Sequence, residues 1–274
     1  MIKSVLQAIP DYMMSIDILP ETVISDIEKM LNAFWWCGGS NQNGIRWMAW
    51  DKLACSKKEG GLGFRDFRAF NMAMVAKKGW FLMNNTQALV SRFFKARYFP
   101  KTTFLDANLG YNPSFVWRSI WKAREVLTFG CRWSIGDGSQ IKVMNEPWIQ
   151  GKTEGCMHGP QQQGIYDLVV KNLMLPNVKQ WNMGVIRDLF DCVGVEEIIC
   201  VPLVEDVIAD RLVWKEEKDG QYSVRSGYRV WKSRKKCYIQ ENQEVNYHGL
   251  WSILAPPRVK RGRFVLDVCL PGFG

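Results

Sequence analysis

The densest chemistry in this chain of 274 residues lies in residues 45–101, where 12 Lys and Arg face 3 Asp and Glu. Outside that window the balance is 24 against 24, so the window carries the whole formal charge of +9. Eleven Phe, Trp and Tyr side chains interleave with its cations. Such a mixture suits a nucleic acid: ammonium and guanidinium groups replace counterions along the phosphates, and aromatic rings offer faces on which unpaired bases stack. The candidate contacts are Lys57, Lys58, Arg65, Arg68, Arg92, Lys95 and Arg97. The competing reading is a packed helical segment whose cations form its solvated side, because basic domains that bind nothing are common.

Other residue types offer less. The eight cysteines, at 37, 55, 131, 156, 192, 200, 237 and 269, form no C-x-x-C, and the histidines are His158 and His248. A zinc site needs four converging ligands, usually from close pairs, and Cys156 with His158 stands alone. Buried free thiols in a reducing compartment are therefore expected, with no metal or other cofactor. Among carboxylates, Glu196–Glu197, Glu205–Asp206 and Glu216–Glu217 are neighbours whose side chains diverge. Asp188 and Asp191 share a helical face, yet a lone acidic pair is commonplace. Glycine runs at 60–63 (GGLG) and 136–139 (GDGS) lack the flanking pattern of a phosphate loop and read as turns. With two histidines and no G-x-S-x-G, a nucleophile–base pair has no support either. No catalytic residue is expected in this chain.

The elements that must carry these side chains follow from periodicity. Val23, Ile24, Ile27, Met30, Leu31 and Phe34 recur at helical spacing before Cys37-Gly38-Gly39 ends the run. Residues 66–82 read as a helix whose Arg68, Lys77 and Lys78 point in different directions. In the helix over 87–98, Leu89, Val90, Phe93 and Phe94 form the apolar side, with Arg92 and Lys95 together on the other. Pro113-Ser114 opens a further helix with Ser114 as N-cap and Val116, Trp117, Ile120, Trp121, Val126 and Leu127 inside. Two β-hairpins follow, 131–135 with 140–144 around GDGS, and 211–215 with 221–224 around Lys218-Asp219-Gly220. Gly and Gln fill residues 159–164 as a linker or exposed loop, and a helix starts near Arg225.

These elements make an α+β fold: a helical N-terminal half, then a mixed region with two β-hairpins and short helices. The expected organisation is a basic helical region over 1–110, a mixed region over 111–245 and a third segment over 246–274. Most of the thirteen Trp are expected in cores. Pro10, Asp11 and Asp17 interrupt the apolar N-terminus where a secretory leader would need continuity, and no run reaches the ~18 apolar residues of a membrane span. The expectation is a soluble protein of the cytoplasm or nucleus that meets no membrane.

The longer strings carry a resemblance. IKSVLQAIPDYMMSIDILP, FWWCGG, IRWMAWDKLACSKKEGGLGFRDFRAFNMAMVAKKGW and FFKARYFP resemble plant LINE-type (non-LTR) retrotransposon polyproteins, just downstream of the reverse transcriptase palm. SFVWRSIWKAREVLTFGCRWSIGDGSQIKVMNEPWI and DRLVWKEEKDGQYSVRSGYRVW are similar to the next blocks, and WSILAPPRVK to the start of the reverse-transcriptase zinc-binding segment. The likeness runs in order over nearly the whole chain. It implies that residues 2–100 are thumb and connector, and that the polymerase aspartates belong to an upstream (F/Y)-x-D-D motif. No Asp-Asp occurs in this chain. It places the zinc ligands and any ribonuclease H domain farther along the polyprotein. Met144 stands where the family commonly has Trp, and RGRFVLDVCLPGFG departs from the usual run, which points to decay or a frame change.

The functional expectation is a non-catalytic fragment of an RNA-directed DNA polymerase that binds RNA, DNA or their hybrid through the basic helices. An upstream palm is its partner in any longer polyprotein. The alternatives are a decayed open reading frame without activity and, more distantly, a metal-dependent nuclease using Asp188 and Asp191.

Overall fold

The computed structural model describes residues 2–37, 46–144, 146–149, 168–176 and 178–237. The Cys156–His158 pair, the linker at 159–164 and the third expected segment lie outside the described residues. Nine α-helices and one short antiparallel sheet are seen among the described residues, so the α+β class and the helical N-terminal half hold. The chain divides into two compact units, Met1–Val75 with Trp231–Gly274, and Ala76–Val230. Two helices, α4 (Phe67–Asn84) and α9 (Val224–Cys237), run through the dividing points.

The first unit is built on a π-helical turn (Ile2–Leu6), α1 (Asp11–Ile16), α2 (Glu21–Cys37), α3 (Trp50–Leu53) and the first turns of α4. Its core gathers Met14, Ile24, Leu31, Leu53, Phe64 and Phe67, with Trp50 stacked on Phe64 and Phe67 at centroid distances of 5.1 and 6.0 Å. Not all the apolar positions of α2 pack inward: Val23 and Met30 are exposed, and the buried row runs through Ile24, Glu28 and Leu31. Buried Asn71 closes the connection between α1 and α2. Its Nδ2 donates to the Met14 and Asp17 carbonyls at 2.8 Å each, and its Oδ1 accepts from Leu19 N at 2.7 Å. A buried amide is tolerated here because its partners are backbone groups that the turn leaves open. GGLG is a turn, as its composition implies, with positive φ at Gly60 and Gly63 and a Ser56–Glu59 capping box in front.

In the second unit α5 (Leu89–Tyr98) and α6 (Phe115–Gly130) pack around Trp117, which is fully buried. Ser114 caps α6 by accepting from Trp117 N at 3.2 Å, as the sequence predicts. Strand β1 (Cys131–Ser134) then pairs antiparallel with β2 (Arg211–Trp214), Cys131 opposite Trp214 and Ser134 opposite Arg211. This corrects the expected strand pairing, in which each strand closed its own hairpin. The cause is the GDGS turn. Asp210 accepts from Gly136 N (2.7 Å) and Gly138 N (2.9 Å) through one oxygen and from Gln140 N (2.9 Å) through the other. Amides converging on a carboxylate form an anion nest, and filling it seats the residue before β2 directly against the end of β1. A Cβ on Gly136 would fall 2.2 Å from Ala209 C, so only glycine lets the two segments approach. The far arm of the turn pairs elsewhere, Val143 N donating to Leu168 O and Val170 N to Ile141 O, both at 2.9 Å. At Gly220 a carbonyl closes the second turn onto Trp214 N at 2.8 Å, but among the described residues the segment after it makes no strand.

Below the sheet, Ile135, Ile141, Val143, Trp148, Ile149, Val170 and Leu173 pack with Ile186 of α7 (Met183–Leu189) and Ile198 of α8 (Cys192–Ile199). Trp214 fills the space against Gly130, where a Cβ would meet its ring at 2.4 Å, and donates to Ser226 Oγ at 2.9 Å. Cys131 is a buried free thiol as expected, whereas Cys192 and Cys200 are exposed, which corrects that expectation for two of the four described side chains. Their positions at the two ends of short helix α8 keep them out of the packed face.

Candidate nucleic-acid interface

The seven cations picked from sequence fall into two sets, one in each unit. In the first unit Lys57 stands exposed on the 3-10 turn Lys57–Glu59, and the side chain of Lys58 lies outside the described part of the structure. Arg65 is committed within its unit: its Nη1 donates to Gln7 O at 2.9 Å and to Asp11 at 2.6 Å, and the guanidinium lies 3.9 Å from the Phe70 centroid. Arg68 is more deeply engaged. Its Nε pairs with Glu21, and its Nη1 reaches both oxygens of Glu28 at 2.7 Å. Burial acts against the Arg68 charge, but the hydrogen bonds to Glu28 and Glu21 outweigh it and hold its pKa above the ordinary value. Glu28 is buried, and that burial lifts its carboxyl pKa although Arg68 opposes the rise. A guanidinium held by two carboxylates, with Asp51 3.7 Å away, faces a locally acidic field rather than one that attracts phosphate.

The second set shares one helix. Arg92, Lys95 and Arg97 all lie exposed on α5, a ten-residue helix, LVSRFFKARY, that contains no acidic residue. None of the three makes an ion pair among the described residues. The face of α5 that packs is not the one its apolar residues mark. Ser91 is buried and Phe94 and Tyr98 are half-buried, while Leu89 is 81% exposed, Val90 53% and Phe93 57%. This corrects the sequence reading of Leu89, Val90 and Phe93 as the inward side. The reason is aromatic: Tyr98 stacks on Trp117 at 4.6 Å and 5°, and Phe94 tilts against the same ring at 6.0 Å. These contacts turn the row through Ser91, Phe94 and Tyr98 inward, and the opposite row necessarily faces out. The Tyr98 hydroxyl donates to Ser114 Oγ at 3.0 Å and accepts from Ser114 N at 3.3 Å, tying the end of α5 to the start of α6. Burial is the largest single influence on the Tyr98 hydroxyl and pushes its pKa up, but the hydrogen bonds to Ser114 and Arg97 together outweigh it and set the pKa below the ordinary value.

Two basic residues of α6 are also exposed, Arg118, whose Cζ lies 5.7 Å from the exposed Phe115 ring, and Lys122. Arg124 has a different task. It donates to the Leu105 and Ala107 carbonyls at 2.7 and 2.6 Å and holds the loop that precedes α6. Of the acidic candidates, Asp191 caps α8 by accepting from Gly194 N at 2.9 Å, and Asp188 is exposed on α7. No group of three or more His, Cys, Asp or Glu among the described residues is placed to share a metal ion. No helix among them is long and apolar enough to cross a membrane.

Sequence reasoning missed the exposure of Phe93, the Asp210 clip and the Asn71 bracket. Only Phe93 carried a signal, its place beside three cations in a helix without acids.

No family model matches the chain, and no solved structure matches it. Two plant proteins do. The chain is 39% identical over 147 residues to "Uncharacterized mitochondrial protein AtMg00310" of Arabidopsis thaliana, an alignment that covers 53% of this chain and 96% of that one. It is 28% identical over 271 residues to "Putative ribonuclease H protein At1g65750" of the same plant, covering 94% of this chain and 42% of the relative.

Proposed function

The chain belongs to the family of that Arabidopsis mitochondrial protein, and on this premise we propose that it is a retroelement-derived piece that binds nucleic acid through α5. Within the plant LINE-type polyproteins it resembles, it corresponds to thumb and connector followed by the blocks that lead to the zinc-binding segment. It spans less than half of the longer relative, and on this reading the polymerase aspartates belong to an upstream part of the polyprotein. The observation that carries the reading is α5: three exposed cations on ten residues, no acid among them and no carboxylate partner among the described residues. Such a surface is attractive to phosphate because binding releases condensed counterions without first breaking an ion pair. Arg65 and Arg68 hold the first unit together, and Lys57 remains as a lesser contact.

A salt titration tests it. The affinity of the wild-type chain for an RNA–DNA hybrid or a single strand should fall steeply with salt. In the variant Arg92→Ala, Lys95→Ala, Arg97→Ala the slope of log K against log salt should shrink by about 2 to 3. An unchanged slope removes α5 as the contact. A second reading, a decayed reading frame whose product has no role, is favoured by the departures at Met144 and after Arg261. A neighbouring Tyr-x-Asp-Asp frame broken by stop codons would support it, and an uninterrupted frame would oppose it.

A further inference from the structure

The outward face of α5 poses a question that its charge alone does not answer. Three large apolar side chains, Leu89, Val90 and Phe93, stand in solvent on a ten-residue helix. At about 100° per residue, Leu89, Phe93 and Ala96 fall within roughly 60° of one another. Arg92 then lies about 60° to one side of Leu89 and Arg97 about 80° to the other, so cations flank the apolar stripe on both edges. Lys95 follows Arg92 on its side. Phe93 is braced from beneath, its ring meeting Phe94 edge-on at 6.0 Å and 83°, and Phe94 rests in turn on Trp117.

We infer that this face is a single-strand platform, with a nucleic-acid base stacked on Phe93 and the adjoining phosphates held by Arg92 and Arg97. The inference rests on the nucleic-acid reading of α5 and narrows it to one class of ligand. A purely apolar partner would leave Arg92 and Arg97 stripped of water without counter-charges, whereas a strand brings a phosphate to each edge. In a duplex both faces of every internal base are already stacked, so an exposed phenyl ring gains nothing from it. An unpaired base offers a free face, and a ring already oriented by Phe94 loses little freedom when it stacks.

Fluorescence anisotropy on the full chain tests this with two probes, an oligothymidylate of about twelve nucleotides, within the range of a single site, and a DNA duplex of the same length. Phe93→Ala should weaken binding of the oligothymidylate roughly 5- to 100-fold. Duplex affinity should stay within about twofold, and Phe93→Trp should restore the single-strand value. Because Phe93 is exposed, the variant should melt with the wild type, which circular dichroism checks. Equal loss on both probes, or none on either, overturns the platform. If the three-cation variant weakens binding while Phe93→Ala does not, the stacking inference fails and the parent reading stands. If the three-cation variant binds both probes like the wild type, both fail. Sedimentation equilibrium covers the remaining case: self-association of the wild type that Phe93→Ala abolishes would assign the stripe to a second copy and overturn the inference.

Discussion

Glu146 shows how one buried carboxylate ties a local contact to solution conditions. Its side chain accepts from Trp133 Nε1 at 2.6 Å, and beside it Trp133 N donates to Pro147 O at 2.8 Å, so the 146–148 turn is stitched to β1. Burial raises the Glu146 pKa, with the Trp133 hydrogen bond opposing and the charge of Asp106 adding to the rise. The folded state therefore prefers the protonated acid. The stability this confers is present below the unfolded pKa and is lost as pH rises through the raised folded value. Glu146→Gln keeps an oxygen for Trp133 and removes the titration. Urea unfolding should find the glutamine variant more stable than wild type at about pH 7, with the gap narrowing at about pH 4. A gap that is the same at both would mean that Glu146 is ionised without penalty in the fold.

At the scale of elements, α5 separates what a periodic pattern says from what it leaves open. The helix itself was legible, as were α2, α6 and the Ser114 cap, because spacing and capping are properties of neighbouring residues. Which face of α5 packs was not. That depends on Trp117, a residue of another helix that claims Phe94 and Tyr98 by stacking. The strands failed in the same way. Each turn was read correctly as a turn, yet β1 found its partner in β2 through Asp210, a contact between distant residues that no local rule exposes. The candidate site suffered likewise, since Arg65 and Arg68 are basic in sequence but spent on Asp11, Glu21 and Glu28 in the fold. The inward row of α5 also carries a flaw. Ser91 is buried and its hydroxyl has no hydrogen-bond partner among the described residues. An unsatisfied buried hydroxyl costs stability, and alanine is the better helix former. Ser91→Ala should therefore raise the unfolding free energy by about 1 kcal/mol, read from the urea midpoint. A loss of stability would show that the hydroxyl is satisfied by a water.

For the whole molecule the two units supply separate tests of one another. Their named cores share no residue, one centred on Trp50 and Phe67 and the other on Ile141 and Ile186. Each is closed by one polar side chain that gathers backbone groups. Asn71 makes three such bonds in the first unit, and Asp210 makes three in the second. Truncating either leaves several backbone groups without partners, so Asn71→Ala and Asp210→Ala should each cost about 2 to 4 kcal/mol. The losses should be local as well. Hydrogen exchange should speed up at Leu19 N in the first variant, and at Gly136, Gly138 and the β1–β2 amides in the second. Residues with no shared partners normally contribute independently, so the double variant should lose the sum of the two costs to within about 0.5 kcal/mol. A coupling energy well above that would show that the two sites do not contribute independently to the fold.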